Sequence, residues 1–304
     1  MCQVGPSRMS SYYQRALQAY ARARSTADRV LERTFTHPMQ RIWTVEAAKL
    51  TQHLGRALAR ATELTPVVLV HAARQLRGGL IHTARTMGEA LSKSTQATLN
   101  EGYRATADAV RYVQQMATPL DNLATHTRVL MLRQHEIERL RRDSANGLAG
   151  DVHAVLLDRM QRVTMRGATV TELVDQVGEL ADAQAWRVDR LVITETSYAY
   201  NLAQSDAIEA LSHEHEYRGV MQRWTEHVTD GGKPMDARVG ADSIQMHGQV
   251  ARPGGAFSAP AEWRIPGSWT HPPNRPRDRA VLTPWLRSWG VPAWMWQAGR
   301  RIDL

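Results

Sequence analysis

Trp224–Val239 reads W-T-E-H-V-T-D-G-G-K-P-M-D-A-R-V, and its break with everything before it decides the fold. The stretch passes Asp242 and His247 and closes on His271–Arg279, H-P-P-N-R-P-R-D-R, ahead of Thr283 and Pro284. Asp230-Gly-Gly232 is a strong turn signal, because Gly reaches backbone angles that other residues avoid and Asp bonds its own backbone. Tyr217–Val228 reads as a strand, although Val220, Met221 and Trp224 do not alternate cleanly. Any strands after it must be short, given the density of Gly and Pro. Loops on a scaffold commonly carry binding and chemistry, so specific function is sought here.

Upstream the pattern is helical. Tyr13, Leu17, Tyr20, Ala21, Ala27 and Leu31 fall at three- and four-residue spacing, with Ser11 and Gln14 reading as a capping box at the start. Pro38 stops or kinks that helix, since it lacks an N–H donor. Ile42, Trp43, Leu50, Leu54, Leu58 and Ala61 form a second stripe. Thr65-Pro66 then opens a third helix, with Thr as N-cap and Pro in the first turn. Its stripe runs Leu69, Ala72, Ala73, Leu76, Leu80, Ala84, Met87 and Leu91, and Gly78-Gly79 weakens it by about 1 kcal/mol per Gly relative to Ala.

Leu120–Leu140 reads as a further helix whose Arg133, Arg139, Arg141 and Arg142 complement the dipole of a last turn. Ser144-Ala-Asn-Gly147 reads as a break and a domain boundary. Asp151 then caps a helix closed by Gly167. Thr169 with Glu172 forms a capping box for a short helix. A helix from about 183 to 211 turns Trp186, Leu191, Tyr198, Leu202 and Ile208 inward. The expected fold is mainly α: an elongated N-terminal helical bundle over 1–149, a smaller α+β domain with short strands over 150–285, and a loop-rich, Pro/Trp-rich tail over 286–304.

The bulk numbers agree with a folded protein. Hydrophobic residues at 43% and charged residues at 22% of 304 exclude a disordered chain. Net charge is +8 and segregated: residues 1–64 carry ten Lys/Arg against four Asp/Glu, and 252–304 carry eight against three. Two basic ends suit an anionic partner, with nucleic acid first, or simply serve solubility. The lone cysteine, Cys2, excludes an internal disulfide and a thiolate zinc site, as expected of a protein made in a reducing cytoplasm. No export signal or apolar run of spanning length is read, so no membrane partner is expected.

Three groups were weighed as sites. His213 and His215, two apart, do not share a helix face; with His227 they read as exposed polar residues rather than metal ligands. Asp230, Asp236, Arg238, Asp242 and His247 could hold a metal or exchange protons, but no spacing fixes their geometry; turn-forming Asp and an Arg–Asp pair account for most of them. Arg mixed with Trp and Pro from Trp263 to Arg279 suits nucleic acid or a protein interface. Arg275, Arg277, Arg279, Arg300 and Arg301 are the nucleic-acid candidates. Six of the nine Trp lie in the last 42 residues. Trp285, Trp289, Trp294 and Trp296 are too dense for an end that packs on nothing, and dock either on a partner or on the protein's own bundle.

In order, the chain carries Arg187 to Arg190, Ile193-Thr-Glu-Thr196 with Thr194 and Glu195, Tyr200-Asn201, Trp224, Asp236-x-Arg238, His247-Gly-Gln249, Phe257, His271-Pro-Pro273-Asn274, Arg279 and Pro284. Over about 150–285 this order resembles the Mu-F-like head morphogenesis family of tailed phages, the minor head or minor capsid proteins. Where that family commonly carries Cys-Arg-Cys, this chain has Pro276-Arg-Asp-Arg279. The resemblance implies a low-copy virion component of the head. It would be made in the host cytoplasm, with several copies at the portal vertex, and would aid capsid assembly, DNA packaging or DNA delivery. Its partners would be the portal protein and capsid or scaffold components, with double-stranded DNA as a further one. No cofactor, metal or catalytic residue is expected. In this reading Arg187, Arg190 and Glu195 fix the helix against the Trp224–His247 region, and the four tail Trp bind the partner. The alternatives are a metal-dependent hydrolase or nuclease using Asp236, Asp242 and His247, and a DNA-binding protein.

Overall fold

The computed structural model describes residues 6–32, 37–115, 123–214, 217–228, 233–235, 239–275, 277–297 and 300–304, with side chains for all of these except 6–10, 37, 123–132 and 241–243. At 68% helix and 11% strand the protein is mainly helical, with a long helical N-terminal region and a small C-terminal set of short antiparallel strands. The helices are α1 (Pro6–Leu31), α2 (His37–Leu58), α3 (Pro66–Gln114), α4 (Leu123–Met165), α5 (Val170–Ala183), α6 (Ala185–Ser212) and α7 (Ala241–Met246). The strands are β1 (Met221–Thr225), β2 (Val250–Ala251), β3 (Phe257–Ala259), β4 (Gly267–Trp269), β5 (Val281–Trp285), β6 (Trp294–Gln297) and β7 (Arg300–Asp303). The chain divides into two compact units, one of 1–32, 96–134 and 193–304, the other of 33–95 and 135–192. This division cuts across the linear reading of 1–149, 150–285 and 286–304, because α3, α4 and α6 each begin in one unit and end in the other.

The unit of 33–95 and 135–192 follows the stripes. Ala72, Leu76, Leu80, Ala84, Met87 and Leu91 of α3 are buried, as are Met39, Trp43, Leu50, Leu54 and Leu58 of α2. Trp43 donates its indole N–H to the Ala181 carbonyl of α5 at 3.2 Å. Local signals also hold. The Thr65 hydroxyl accepts from Val68 N–H at 3.3 Å ahead of Pro66. Thr169 and Glu172 close their reciprocal capping box, and Gly167 ends α4 at φ +73°.

Several local expectations fail. Helix α1 begins at Pro6, so Ser11 and Gln14 lie within it. Helix α4 runs unbroken through Ser144–Gly147 and Asp151. Ala145, Leu148, Ala149 and Val152 continue a buried stripe there, so packing overrides the poor propensity of Ser, Asn and Gly. Arg141 therefore lies in mid-helix and caps nothing. It is fully buried and donates to the Leu91 carbonyl and the Thr95 hydroxyl of α3, each at 2.7 Å. Trp186, read as inward, is 47% exposed.

The other unit surrounds a three-stranded antiparallel sheet of order β2-β1-β5, in which Arg223 pairs with Thr283 and Trp224 with Leu282. The pairs β3–β4 and β6–β7 are separate antiparallel ribbons. One core joins Ala16, Ala19 and Tyr20 of α1, Ala109, Val110 and Val113 of α3, Ile208 and Leu211 of α6, and Trp224, Phe257, Leu282, Trp285 and Trp289. The strand read over 217–228 is real but confined to β1, because residues 217–220 form a turn in which Val220 N–H donates to the Tyr217 carbonyl at 3.0 Å.

Candidate functional site

The head of the stretch that broke the helical pattern, residues 224–228, lies in a buried polar layer on the central sheet. Trp224 is fully buried, edge-on to Phe257 with ring centres 5.3 Å apart, and donates its indole N–H to Glu226 Oε1 at 2.9 Å. Burying such an aromatic contributes about 1.5–3 kcal/mol. Asn201 of α6 reaches 79 and 81 residues along the chain: it donates to the Ala280 carbonyl at 2.9 Å and accepts from Leu282 N–H at 2.7 Å. This two-point bridge fixes α6 against the start of β5. Thr194, about two turns earlier on the same face of α6, accepts from Arg277 N–H at 3.2 Å.

His247, just beyond the short α7, accepts the Glu226 backbone N–H on Nδ1 at 3.1 Å. Its Nε2 lies 3.4 Å from Arg223 Nη2. A neutral ring that accepts on Nδ1 carries its proton on Nε2 and so meets a second donor there. Burial, reinforced by the Arg223 and Arg24 charges, pushes the His247 pKa down to about 3. Arg223 itself is 4% exposed, donates to Thr225 Oγ1 at 3.2 Å and lies 5.2 Å over the Tyr20 ring. Thr225 and Thr283 hydroxyls meet at 2.7 Å across β1 and β5. Arg24 of α1 donates to the Glu226 carbonyl at 2.6 Å, and the Tyr20 hydroxyl to the Pro284 carbonyl at 3.0 Å. A cleft of about 250 Å³ opens beside this layer, lined among others by Tyr20, Arg24, Arg223, His247 and Trp294.

Among the described residues two carboxyls, Glu226 and Asp278, are buried in the same unit. Burial, with the Asp278 charge added, holds the Glu226 pKa well above the usual carboxylate range; Arg275 and Arg279 oppose this. Asp278 is also raised by burial, against hydrogen bonds from the backbone N–H groups of Ala280 and Asn274. Asp28 lies 3.5 Å from Arg279 and 3.7 Å from His227.

The sequence candidates now divide. Asn201, Trp224 and His247 come together around the central sheet; Thr194 sits beside Arg277, and the Pro272–Pro273 peptide is cis. Arg187 does not serve the Trp224–His247 region: it bonds Gln184 at 2.7 Å and faces Asp151 at 3.8 Å. Arg190 is exposed and Glu195 half-buried. Asp230, Asp236 and Arg238 lie outside the described residues, as do His215 and the Asp242 side chain. His213 is exposed. Among the described residues no three His, Cys, Asp or Glu converge as metal ligands, and no helix is long and apolar enough to cross a membrane.

The tail Trp are the clearest correction. Trp285, Trp289 and Trp294 are 4%, 1% and 8% exposed, so they are core residues rather than partner anchors. Trp285 donates to the Val291 carbonyl at 2.8 Å, and Trp289 sits 6.5 Å from Tyr20. Trp263, Trp294 and the half-buried Trp296 stack edge-on with centres 5.5–6.4 Å apart. Of the two options left open by the sequence, docking on the protein's own core holds. Among the nucleic-acid candidates, Arg279 is tied to Asp28 and the Arg275 guanidinium packs against Gly240. Arg277, Arg300 and Arg301 are exposed, with Arg301 over Trp294 and beside Asp303. Sequence reading missed Arg223, Glu226 and Asp278 as buried charges. The local signal for two of them was position: Arg223 lies in β1, whose residues 222–225 are all buried, and Glu226 directly follows it.

No protein-family model matches the chain, and no curated protein or solved structure matches it either.

Proposed function

We propose that this protein is a minor structural or assembly component of a tailed-phage or prophage-derived head. It associates with the portal vertex and aids capsid assembly, DNA packaging or DNA delivery. The observation that carries the reading is the convergence of Asn201, Trp224, Phe257 and His247, four of the residues that carry the resemblance, although Arg187 bonds elsewhere and Arg190 is exposed. All four are held in one packed unit by specific contacts rather than scattered over a surface. Their chemistry supports a scaffold role. Asn201 spends both amide groups on backbone, Trp224 is enclosed, and His247 uses one ring nitrogen to hold the Glu226 N–H. The hydrolase alternative gains no support from this arrangement, since the ring nitrogen that would take a proton is already engaged. The test is association with the portal protein encoded in the same genome. The chain should sediment with assembled portal rings, and a chain that stays at the top of the gradient would defeat the proposal.

A further inference from the structure

A second cavity lies away from the polar layer, between α1 and the C-terminal part of α3, both within one compact unit. It is a groove of about 770 Å³ whose base includes Ala19, Ala23, Ala105 and Ala109. Arg15, Arg22 and Arg29 line it from α1; Arg104 and Arg111 line it from α3. Each set recurs every seven residues, nearly two full helical turns, so each forms a row along one face. The helices run antiparallel: Arg15 bonds the Val113 carbonyl at 2.9 Å, while Arg29 and Glu101 both act on the Tyr200 phenol. The groove thus has two facing rows of guanidinium groups over a floor of small side chains.

The opposing charge is light. Glu101 and Asp108 are the acidic residues lining the groove, and the exposed Arg104–Glu101 pair, at 3.8 Å, gives little up when a stronger anion arrives. Arg22 stacks on the Tyr112 ring at 4.0 Å, and Tyr112 is steadied by its hydrogen bond to Gln18. Stacking occupies a face of the guanidinium and leaves its in-plane N–H donors for an incoming acceptor. Arg22, Arg104 and Arg111 are exposed.

We propose that the α1–α3 groove is a docking surface for the sugar–phosphate backbone of DNA. Seven residues of helix advance about 10.5 Å, so Arg15 and Arg29 stand about 21 Å apart. No single small anion can engage such rows; an extended polyanion can. A phosphodiester chain supplies a charge at every residue, and its paired oxygens match the guanidinium fork. A carboxylate offers a guanidinium the same fork, but an acidic protein segment would need carboxylates in matching density along about 21 Å, which a phosphodiester chain supplies by its regular repeat. The α1 row lies in the basic N-terminal end that composition marked for an anionic partner, while the groove uses none of the nucleic-acid candidates of the tail or the Arg275–Arg279 run. The proposal is independent of the head-protein reading and stands or falls without it.

The test is fluorescence anisotropy of the full chain with a labelled short single strand, the matching duplex, and a polyglutamate peptide of equal length, across a salt series. The parent should bind DNA with affinity falling steeply as salt rises, since phosphate contacts release counterions. Arg22→Gln/Arg104→Gln/Arg111→Gln should lower affinity about tenfold or more and flatten the log–log salt slope by about two to three. Replacing the same three with Lys keeps the charge and should restore the slope, which separates electrostatics from misfolding. Arg300→Gln/Arg301→Gln should leave binding within about twofold. Unchanged DNA binding in the Gln variant overturns the proposal. So does equal loss in the Gln and Lys variants, or polyglutamate binding as tightly as DNA. Whether the strand or the duplex binds better identifies the form of DNA.

Discussion

In the unit of 33–95 and 135–192 helices meet through stripes of Ala, Leu, Val and Met, with Arg141 an enclosed cation held by one carbonyl and one hydroxyl of α3. In the unit of 1–32, 96–134 and 193–304 the sheet encloses Arg223, Glu226, His247 and Asp278 within one region. The first kind of core is specified by spacing and volume. The second must also satisfy each polar group, because an unpaired buried charge costs far more than a lost methylene. Substitutions in the helical unit should therefore give graded effects, while those in the mixed unit should be abrupt and pH-dependent.

The largest expected effect tests the abrupt side. Trp224→Ala removes a fully buried indole and strands Glu226 without its donor, at a cost of about 3–5 kcal/mol. Hydrogen exchange read peptide by peptide should show protection lost across β1, β2 and β5 together. Loss confined to β1 would contradict a single cooperative layer.

A smaller effect comes from pH, and its sign separates the groups. His247 titrates at about 3 when folded against 6.5 when unfolded, so only the unfolded chain takes up a proton between those values. Its contribution is complete above pH 6.5 and is lost as pH falls towards 3, by at most about 1.4 kcal/mol per pH unit. Glu226, raised above 4.5, works oppositely: it favours folding at low pH and loses that contribution as pH rises. Thermal melts of His247→Asn, which keeps an acceptor for Glu226 N–H, should be flatter below pH 6.5 than those of the parent. Parallel curves would remove His247 from the account.

The smallest prediction belongs to the helical unit. Gly78 is exposed in mid-α3, and a Cβ there meets open space. Gly78→Ala should raise stability by about 1 kcal/mol at any pH, measured by urea unfolding. The same change at Gly102, further along α3, would drive a Cβ into the Tyr200 carbonyl oxygen and should destabilise instead.

What sequence made legible follows the same division. Thr65, Thr169, Glu172 and the stripes of α2 and α3 depend on neighbours within one or two turns, so spacing predicts them. Ser144–Gly147 misled because local propensity is weak against a stripe that continues through Ala145 and Leu148. Burial of Arg141 depends on acceptors 46 and 50 residues away, and no local pattern encodes it. In the mixed unit the order of Asn201, Trp224, Phe257 and His247 could be read, but not their contacts, since Asn201 bonds backbone about 80 residues distant. The tail Trp announced packing without naming the surface, which proved to be their own core.

On the proposed function the mixed unit is a scaffold of a head component rather than a reaction centre. Sedimentation with assembled portal rings from the same genome, followed by quantifying both chains in each fraction, tests that most directly. The account predicts co-migration in a fixed ratio that persists in His247→Asn. A chain that never enters the portal fractions would contradict it.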